Sequence, residues 1–324
     1  MFAILYRNIF LGIAAFLTLA SIAVIVFIGL KPGIDFTGGS LTEVVYSNLP
    51  DKVAVEEAVT NLNIGSFSVR ESQDEVGRDG YLVRTTDLTE EDRTALSSTL
   101  TTIGEGGEIT RFTSIGPVIG QELRDKAIWA IFGVVLIIVL YVAFAFAGIG
   151  KPVSSWIYGS IVILVLIHDV LIPTAMMSLL GYFAGIEIDT LFVMAILAVL
   201  GYSVNDTIVI FDRVRENLIA NRIETRTKRT EAGIVHEDVD YTLTKPFEEI
   251  VGTAIKATMA RSINTSFTTL LSLVALYIIG GSVTQTFALV LIAGVVAGTY
   301  SSIFIANPLL VAYAKYQERK AAVK

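Results

Sequence analysis

The charged side chains that lie inside apolar stretches are the residues of this sequence best placed to do chemistry. Asp206, preceded by Asn205, lies inside an apolar run that begins near Leu191. A carboxylate at the centre of a membrane-spanning helix costs about 2.5–3.5 kcal/mol on insertion-based scales, and such residues often mark ion or proton pathways. Asp206 is therefore a candidate proton carrier, and Asn205 is a candidate member of the same relay.

A histidine and an aspartate, His168 and Asp169, lie midway along a second apolar stretch. Pro173 follows four residues after Asp169, where it cannot bond the Asp169 carbonyl, and this spacing predicts a kinked helix. The pair has two interpretations. It is either an element of a proton relay or a pair of groups that satisfy their neighbours in a packed bundle.

A polar stripe opens a further apolar stretch, with its members at the spacing i, i+3, i+4, i+7 and i+11 of one helix face. We expect this stripe to face Asp206, where the Arg261 guanidinium would favour the ionised carboxylate and Asn264 would join the relay. Alternatively, Arg261 extends to anionic lipid headgroups. The members of the stripe are Arg261, Asn264, Thr265, Thr268 and Ser272.

A glycine-rich segment, KPGIDFTGGS, follows the first apolar stretch directly. Gly33 and the proline before it end the helix, and Gly38 with Gly39 predicts a tight turn that Asp35 could cap or hydrogen-bond. The segment is either a structural corner between membrane and domain or a direct participant in ion movement.

Six apolar stretches are long enough to cross a bilayer core of about 20 residues, and 53% of the 324 residues are hydrophobic. The first is expected to be a retained anchor. The sequence has no cysteine, and we find no nucleophile–base set or metal-ligand cluster, so we expect no cofactor and no enzymatic activity. The stretches are approximately 9–30, 127–148, 153–179, 189–211, 262–280 and 284–313.

The distribution of charge predicts the orientation of the chain in the membrane. Residues 31–125 hold 8 basic and 17 acidic side chains, a net charge of −9, whereas the whole chain carries −7. This acidic balance argues against a nucleic-acid partner. Basic residues, including Lys151, collect in alternate loops and at the chain ends, while 181–189 and 280–284 hold none. Both termini are therefore predicted to be cytoplasmic.

The predicted fold is an α-helical integral membrane protein with six transmembrane helices and an inserted extracytoplasmic α+β domain. The pattern of residues 41–115 is βαββαβ, which is ferredoxin-like, with Asp51 and Thr89 at the starts of its helices. Glu224–Arg229 is expected to be a solvated helix or a flexible insert. The predicted division is 1–30 first span, 31–125 external domain, 126–211 spans two to four, 212–261 cytoplasmic loop, 262–313 spans five and six, and 314–324 cytoplasmic tail.

Four segments carry a resemblance to a known family: GIDFTGG, LIHDV, GYSVNDTIVIFDRVREN and ARSINTSFTTLL. In order and spacing they resemble the SecD/SecF family of bacterial protein-export membrane proteins, and in particular its SecF members. Ile223–Thr244 looks longer than the corresponding loop of that family, and the resemblance gives this insert no role.

The resemblance implies membership of the resistance–nodulation–division superfamily of proton-driven membrane proteins, in the cytoplasmic (inner) membrane. It implies pairing with SecD, association with the SecYEG channel and YajC, and use of the proton motive force in late preprotein translocation. It implicates Asp206 and Arg261 in proton conduction. Two other classes stay open: a proton-driven exporter of lipid or small molecules, which normally has twelve spans, and a scaffold of the translocon that transports nothing.

Overall fold

A computed structural model describes residues 2–74, 76–146, 153–231 and 234–322, with backbone alone at 155, 224–231, 234–241 and 321–322. Lys151 and the side chain of His236 therefore lie outside the described residues. In chain order the elements are α1 (Phe2–Leu5), α2 (Arg7–Ile28), α3 (Ile34–Thr37), β1 (Gly39–Val45), α4 (Lys52–Thr60), β2 (Phe67–Gln73), β3 (Asp79–Thr85), α5 (Glu90–Thr102), β4 (Glu108–Ile115), α6 (Pro117–Ala145), α7 (Ser155–Ala184), α8 (Thr190–Ala220), β5 (Arg222–Glu231), β6 (Ile234–Leu243), α9 (Phe247–Ile279), α10 (Ser282–Ser301), a π-helical turn (Ser302–Ala306) and α11 (Asn307–Ala322).

The prediction of six membrane-spanning helices is confirmed for the described chain. They are α2, α6, α7, α8, α9, and α10 continued through the π-helical turn into α11. Several are longer than the apolar stretches that predicted them. The second span begins at Pro117, ten residues before the predicted start, because a proline at the first helical position already has the helical φ angle.

The ferredoxin-like domain is also confirmed. Its four strands form one antiparallel sheet in the order β2-β3-β1-β4, with α4 and α5 in the connections. Both predicted caps are present: Val53 N donates to Asp51 Oδ1 at 3.4 Å, and Asp92 N donates to Thr89 Oγ1 at 3.2 Å. A separate core holds the domain together, formed by Val44, Tyr46, Val55, Val59, Ile64, Val69, Tyr81, Val83, Leu96 and Leu100.

The expectation of a helix or flexible segment at Glu224–Arg229 is wrong. The backbone there forms β5, which pairs with β6 in an antiparallel hairpin from Arg222↔Leu243 to Glu231↔Ile234. The hairpin is followed by the first turns of α9, where Phe247 and Val251 are buried. With 33 residues, α9 is longer than the about 20 residues that a bilayer core requires.

Two glycines of α10 bring it against α8. A Cβ atom added at Gly294 would lie 2.1 Å from Val199 Cγ2, and one at Gly298 would lie 3.2 Å from the Ser203 Cβ. Membrane helices lack a hydrophobic driving force between them, so close approach at small residues four apart is a main source of packing energy. Gly294 and Gly298 therefore form a packing surface of α10.

We predict that Gly294→Ala lowers the free energy of unfolding by about 1–3 kcal/mol, because the added methyl overpacks the contact with Val199. Gly133→Ala is the matched control, since a Cβ at Gly133 in α6 meets nothing within 4 Å. Unfolding of both variants is measured by denaturant titration in detergent micelles. Equal stabilities for the two variants would contradict a close α8–α10 contact.

Candidate functional site

Asp169 is the most completely enclosed carboxylate of the described membrane helices, with 0% of the residue exposed. Its Oδ1 lies 2.8 Å from Nδ1 of the adjacent His168. Its Oδ2 accepts hydrogen bonds from Ser203 Oγ of α8 at 2.5 Å and from Ser301 Oγ of α10 at 2.6 Å. One carboxylate on α7 therefore joins three membrane helices.

His168 is buried beside this carboxylate, but only one of its ring nitrogens has a partner. When Asp169 is ionised, Nδ1 carries the proton and donates it, which leaves Nε2 as an acceptor. Nε2 is buried and has no hydrogen-bond partner in the described chain. The ring lies 6.3 Å from the ring of Tyr300. The imidazole is therefore held at Nδ1 by Asp169, while Nε2 is unpaired within the described residues.

Asp206 lies in α8 and is 5% exposed. It faces Ser262 of α9, and Arg261 is the basic side chain that acts on it electrostatically. Neither Asp206 Oδ2 nor Ser262 Oγ has a hydrogen bond of normal geometry in the described chain. A buried carboxylate oxygen without a partner is costly, which distinguishes Asp206 from the fully hydrogen-bonded Asp169.

A group of hydroxyls lies beside the two carboxylates. Tyr202 OH donates to Ser266 Oγ at 3.0 Å, and Thr299 Oγ1 lies 2.6 Å from the same Ser266 Oγ. Tyr202, Ser203 and Asp206 occupy one turn of α8, within about 6 Å along the helix axis. Carboxyl, imidazole and hydroxyl groups at one depth can accept and pass protons. This buried polar layer consists of His168, Asp169, Tyr202, Ser203, Asp206, Ser262, Ser266, Thr299 and Ser301.

The prediction that the polar stripe of α9 faces Asp206 holds in part: Arg261 acts on Asp206 electrostatically, but the stripe is not buried against α8 in the described chain. All five of its members are exposed, whereas Thr258, Ser262 and Ser266 of the same helix are buried. Asn205 of α8 is exposed as well. The rotation of α9 turns one polar row toward α8 and the row beside it outward. Of the candidate relay residues, the fold brings His168, Asp169 and Asp206 into the bundle and leaves Asn205, Arg261 and Asn264 on its surface.

The glycine-rich segment lies where the ferredoxin-like domain meets α8. Asp35 Oδ2 accepts hydrogen bonds from Thr190 N at 2.8 Å and from Thr190 Oγ1 at 2.6 Å. Asp35 thus caps the start of α8, and the expectation that it bonds the glycine turn is wrong. Gly33 N donates to Ile188 O at 2.8 Å, which ties the segment to the α7–α8 loop.

Gly38 and Gly39 make the turn into β1 with φ angles of 76° and 123°. A Cβ at Gly38 would lie 2.7 Å from Pro117 Cα, and one at Gly39 would lie 2.5 Å from Thr85 O. Both positions combine a left-handed backbone with a close approach to another backbone, which only glycine tolerates. The predicted turn is confirmed, and it holds the domain against the start of α6.

Arg84 of β3 is the second link between the domain and the membrane helices. Its guanidinium pairs with Glu187 of the α7–α8 loop and donates to Thr37 Oγ1 at 2.7 Å and to Pro32 O at 3.1 Å. Arg70 lies beside it, where burial lowers the pKa of its guanidinium and the charge of Glu187 opposes that shift. The loop before α8 is therefore held from both sides by the domain.

Sequence reasoning missed five hydroxyl residues of the buried polar layer: Ser203, Ser262, Ser266, Thr299 and Ser301. Hydroxyls in membrane helices usually bond their own backbone, so a serine in an apolar run carries little signal. Ser262 and Ser266 had one usable signal, because they repeat at i and i+4 beside the polar stripe.

The fold and the site define a class: six-span membrane proteins with a ferredoxin-like domain after the first span and buried carboxylates in the bundle. Residues 95–244 and 233–316 match the model of the family described as "Protein export membrane protein SecD/SecF, C-terminal", and residues 23–48 match the "SecD/SecF GG Motif". The chain belongs to the SecD/SecF family of protein-export membrane proteins.

Among curated relatives, "Protein translocase subunit SecF" of Sebaldella termitidis is 33% identical over 282 residues, covering 87% of this chain and 81% of the relative. The subunit of the same name from Rhodothermus marinus is 34% identical over 286 residues, covering 86% and 81%. The crystal structure of SecDF from Thermus thermophilus, described as a translocon-associated membrane protein, superposes with a TM-score of 0.77 at 30% identity. That match covers 96% of this chain but 38% of the SecDF chain.

We predict that Ser203→Ala and Ser301→Ala each lower the free energy of unfolding by about 1.5–3 kcal/mol, because each removes a hydrogen bond to a buried charged group. Ser160→Ala is the control, since Ser160 is exposed and bonds only the Trp156 carbonyl of its own helix. Ser160→Ala should change the free energy of unfolding by no more than about 0.5 kcal/mol, as ordinary surface substitutions do. Equal stability in all three variants would show that Asp169 does not fasten α7, α8 and α10 together.

Proposed function

We propose that this chain is the SecF-type half of a SecD–SecF unit, an auxiliary part of the Sec translocase. The unit uses the proton motive force across the cytoplasmic membrane to promote late steps of preprotein translocation, in contact with the SecYEG channel and YajC. Membership of the SecD/SecF family and the SecF relatives support the translocase role. The observation that carries the proton-driven part is the burial of two carboxylates, Asp169 and Asp206, in the bundle of membrane helices.

The two carboxylates are suited to different tasks. Asp169 has all its hydrogen bonds and ties three helices together. Asp206 has one oxygen without a partner among the described residues, and it lies one turn from Ser203, which donates to Asp169. We assign the loading and release of a proton to Asp206, with the Asp169–His168 pair as the neighbouring acceptor. A change of charge at Asp206 then alters how α8 packs on α9.

The energy available per proton sets the kind of work that this mechanism can do. One charge that crosses about 100 mV gives about 2.3 kcal/mol, which shifts a two-state equilibrium roughly fiftyfold. That is enough to bias a domain between two positions, but it cannot draw a long polypeptide through a channel in one step. Repeated cycles that prevent backward sliding of the preprotein suit this energy.

The start of α8 carries the coupling between proton and domain in this proposal. Asp35 caps α8 at Thr190, and Arg84 pairs with Glu187 in the loop before it. A shift or rotation of α8 at Asp206 therefore acts on Asp35, in the segment that leads into the domain, and on Arg84 of the domain itself. The ferredoxin-like domain, placed outside the membrane, would swing in response and hand on the emerging polypeptide.

SecD is the partner proposed to cover the outward polar face of α8 and α9. Arg261, Asn264 and Thr268 are exposed on α9, and Asn205 and Gly201 are exposed on α8. Polar side chains at hydrocarbon depth need partners other than lipid. A second subunit with its own polar face supplies them and completes a path to Asp206, with Arg261 as the balancing charge.

The proposed orientation has both termini and residues 212–261 in the cytoplasm and residues 31–125 outside. The arrangement of basic residues supports it, because the two chain ends and the loops on their side of the bundle, residues 1–8, 149–152, 212–261 and 314–324, together hold 15 of the 24 Lys and Arg. The hairpin of β5 and β6 then lies on the cytoplasmic side, where the SecYEG channel and lipid surface are within reach.

We predict that Asp206→Asn abolishes the gradient-dependent part of preprotein export and leaves assembly with SecD intact. The amide keeps the size of the side chain but cannot carry a proton. Asp212→Asn is the matched control, since Asp212 is an exposed acid on the same helix, and it should retain full stimulation. Export is measured in inverted vesicles with and without a proton gradient, with chain levels and SecD co-purification checked. Full stimulation in Asp206→Asn would make Asp206 structural and favour the scaffold.

A further inference from the structure

An apolar groove of about 340 Å³ runs along the surface between α9 and α10. Its α9 wall includes Met259, Ile263 and Phe267, and its α10 side includes Val296 and ends at Phe304 in the π-helical turn. Ser266 and Thr299 lie in its floor, but their hydroxyls already bond each other and Tyr202. The groove therefore offers an apolar surface of the size of a ligand pocket. The Ser266 and Thr299 hydroxyls in it are both already hydrogen-bonded.

The groove lies on the flank of α9 that points away from the polar stripe. Ile263 follows Arg261 by two residues, which places it about 200° around the helix. A SecD subunit that covers Arg261 and Thr265 therefore leaves the groove open. Phe267 is 60% exposed and Met259 39% exposed. At this depth the groove must be filled by lipid or by another membrane helix.

A basic side chain, Lys256, lies at the end of the groove nearest the chain termini. Lys256 is exposed and lies one turn before Met259, at i and i+3 on the same side of α9. It has no ion-pair partner within the described ranges of the chain. The leaflet at this end is the cytoplasmic one in the proposed orientation, and basic sites between membrane helices on that side bind anionic headgroups.

We propose that the groove between α9 and α10 is a phospholipid site, with one acyl chain along Ile263 and the lipid phosphate beside Lys256. The acyl chain fills the space between α9 and α10, two helices that both contribute to the buried polar layer. The bound lipid thus supports the contact of Ser266 with Thr299 and Tyr202. This inference goes beyond the proposed export function and rests on its orientation and on its pairing with SecD.

The test uses phosphatidylglycerol that carries a photoreactive group in one acyl chain, in nanodiscs that contain the chain together with SecD. After illumination, lipid adducts on the peptide of Met259–Leu270 are compared by mass spectrometry with adducts on α6, where Ile128, Phe132 and Leu136 are exposed. We expect the groove peptide to be enriched at least fivefold. Ile263→Trp, which fills the groove, and Lys256→Glu, which repels the phosphate, should each remove most of that enrichment.

Two control variants separate a site from general lipid contact. Ile278→Trp places the same bulk at a 72% exposed position at the other end of α9, and Arg319→Glu reverses an exposed charge in α11. Both should keep the enrichment. Equal labelling of the groove and α6, or no effect of Lys256→Glu, would overturn the proposal. In a second preparation with unlabelled lipid, a photoreactive amino acid replaces Ile263; its cross-linking to a protein rather than to lipid would show that a partner helix fills the groove and would overturn the proposal.

Discussion

A carboxylate inside a membrane bundle must have polar partners within reach, and this requirement at Asp169 organises the packing of the helices around it. Its partners come from α8 and α10, so both helices must approach α7 closely. Gly298 permits this, since a Cβ there would lie 3.7 Å from Asp169 Oδ2 and 3.2 Å from Ser203. The π-helical turn begins immediately after Ser301. It ends before Asn307, where the Asn307 amide donates to Ser302 O at 2.7 Å. The π-helical turn thus follows directly after Ser301, the residue through which α10 bonds Asp169.

The fifth membrane helix, α9, separates three environments around its circumference. Thr258, Ser262 and Ser266 face the bundle, the stripe that begins at Arg261 faces outward, and Ile263 lines an apolar groove. Rows only 100° apart on a helix are enough for this separation. In the proposals above, the same helix contacts the proposed proton site, the SecD subunit and lipid on three different faces.

The sequence predicted elements far better than it predicted the faces that they present. Apolar length and the caps Asp51 and Thr89 are local properties, and the helices and strands they predicted are present. The local sequence does not decide which face of α9 points into the bundle, because the row that contains Arg261 and the row that contains Ser262 both have polar residues at helical spacing. Asp35 finds its partner 155 positions away at Thr190, and no local pattern reports that. The hairpin of β5 and β6 was missed because β5 is polar at nearly every position and lacks the apolar alternation of a half-buried strand, although Val239, Tyr241 and Leu243 of β6 do alternate with polar residues.

The central claim of this account is that protonation of Asp206 moves the ferredoxin-like domain relative to the membrane helices. The absence of cysteine makes this directly measurable. Spin labels at Glu91→Cys of α5 and Phe183→Cys of α7 report the distance between domain and bundle in proteoliposomes that contain SecD. The account predicts that a proton gradient changes this distance distribution, and that Asp206→Asn abolishes the change. An unchanged distribution in the labelled parent, or the same change in Asp206→Asn, would contradict it.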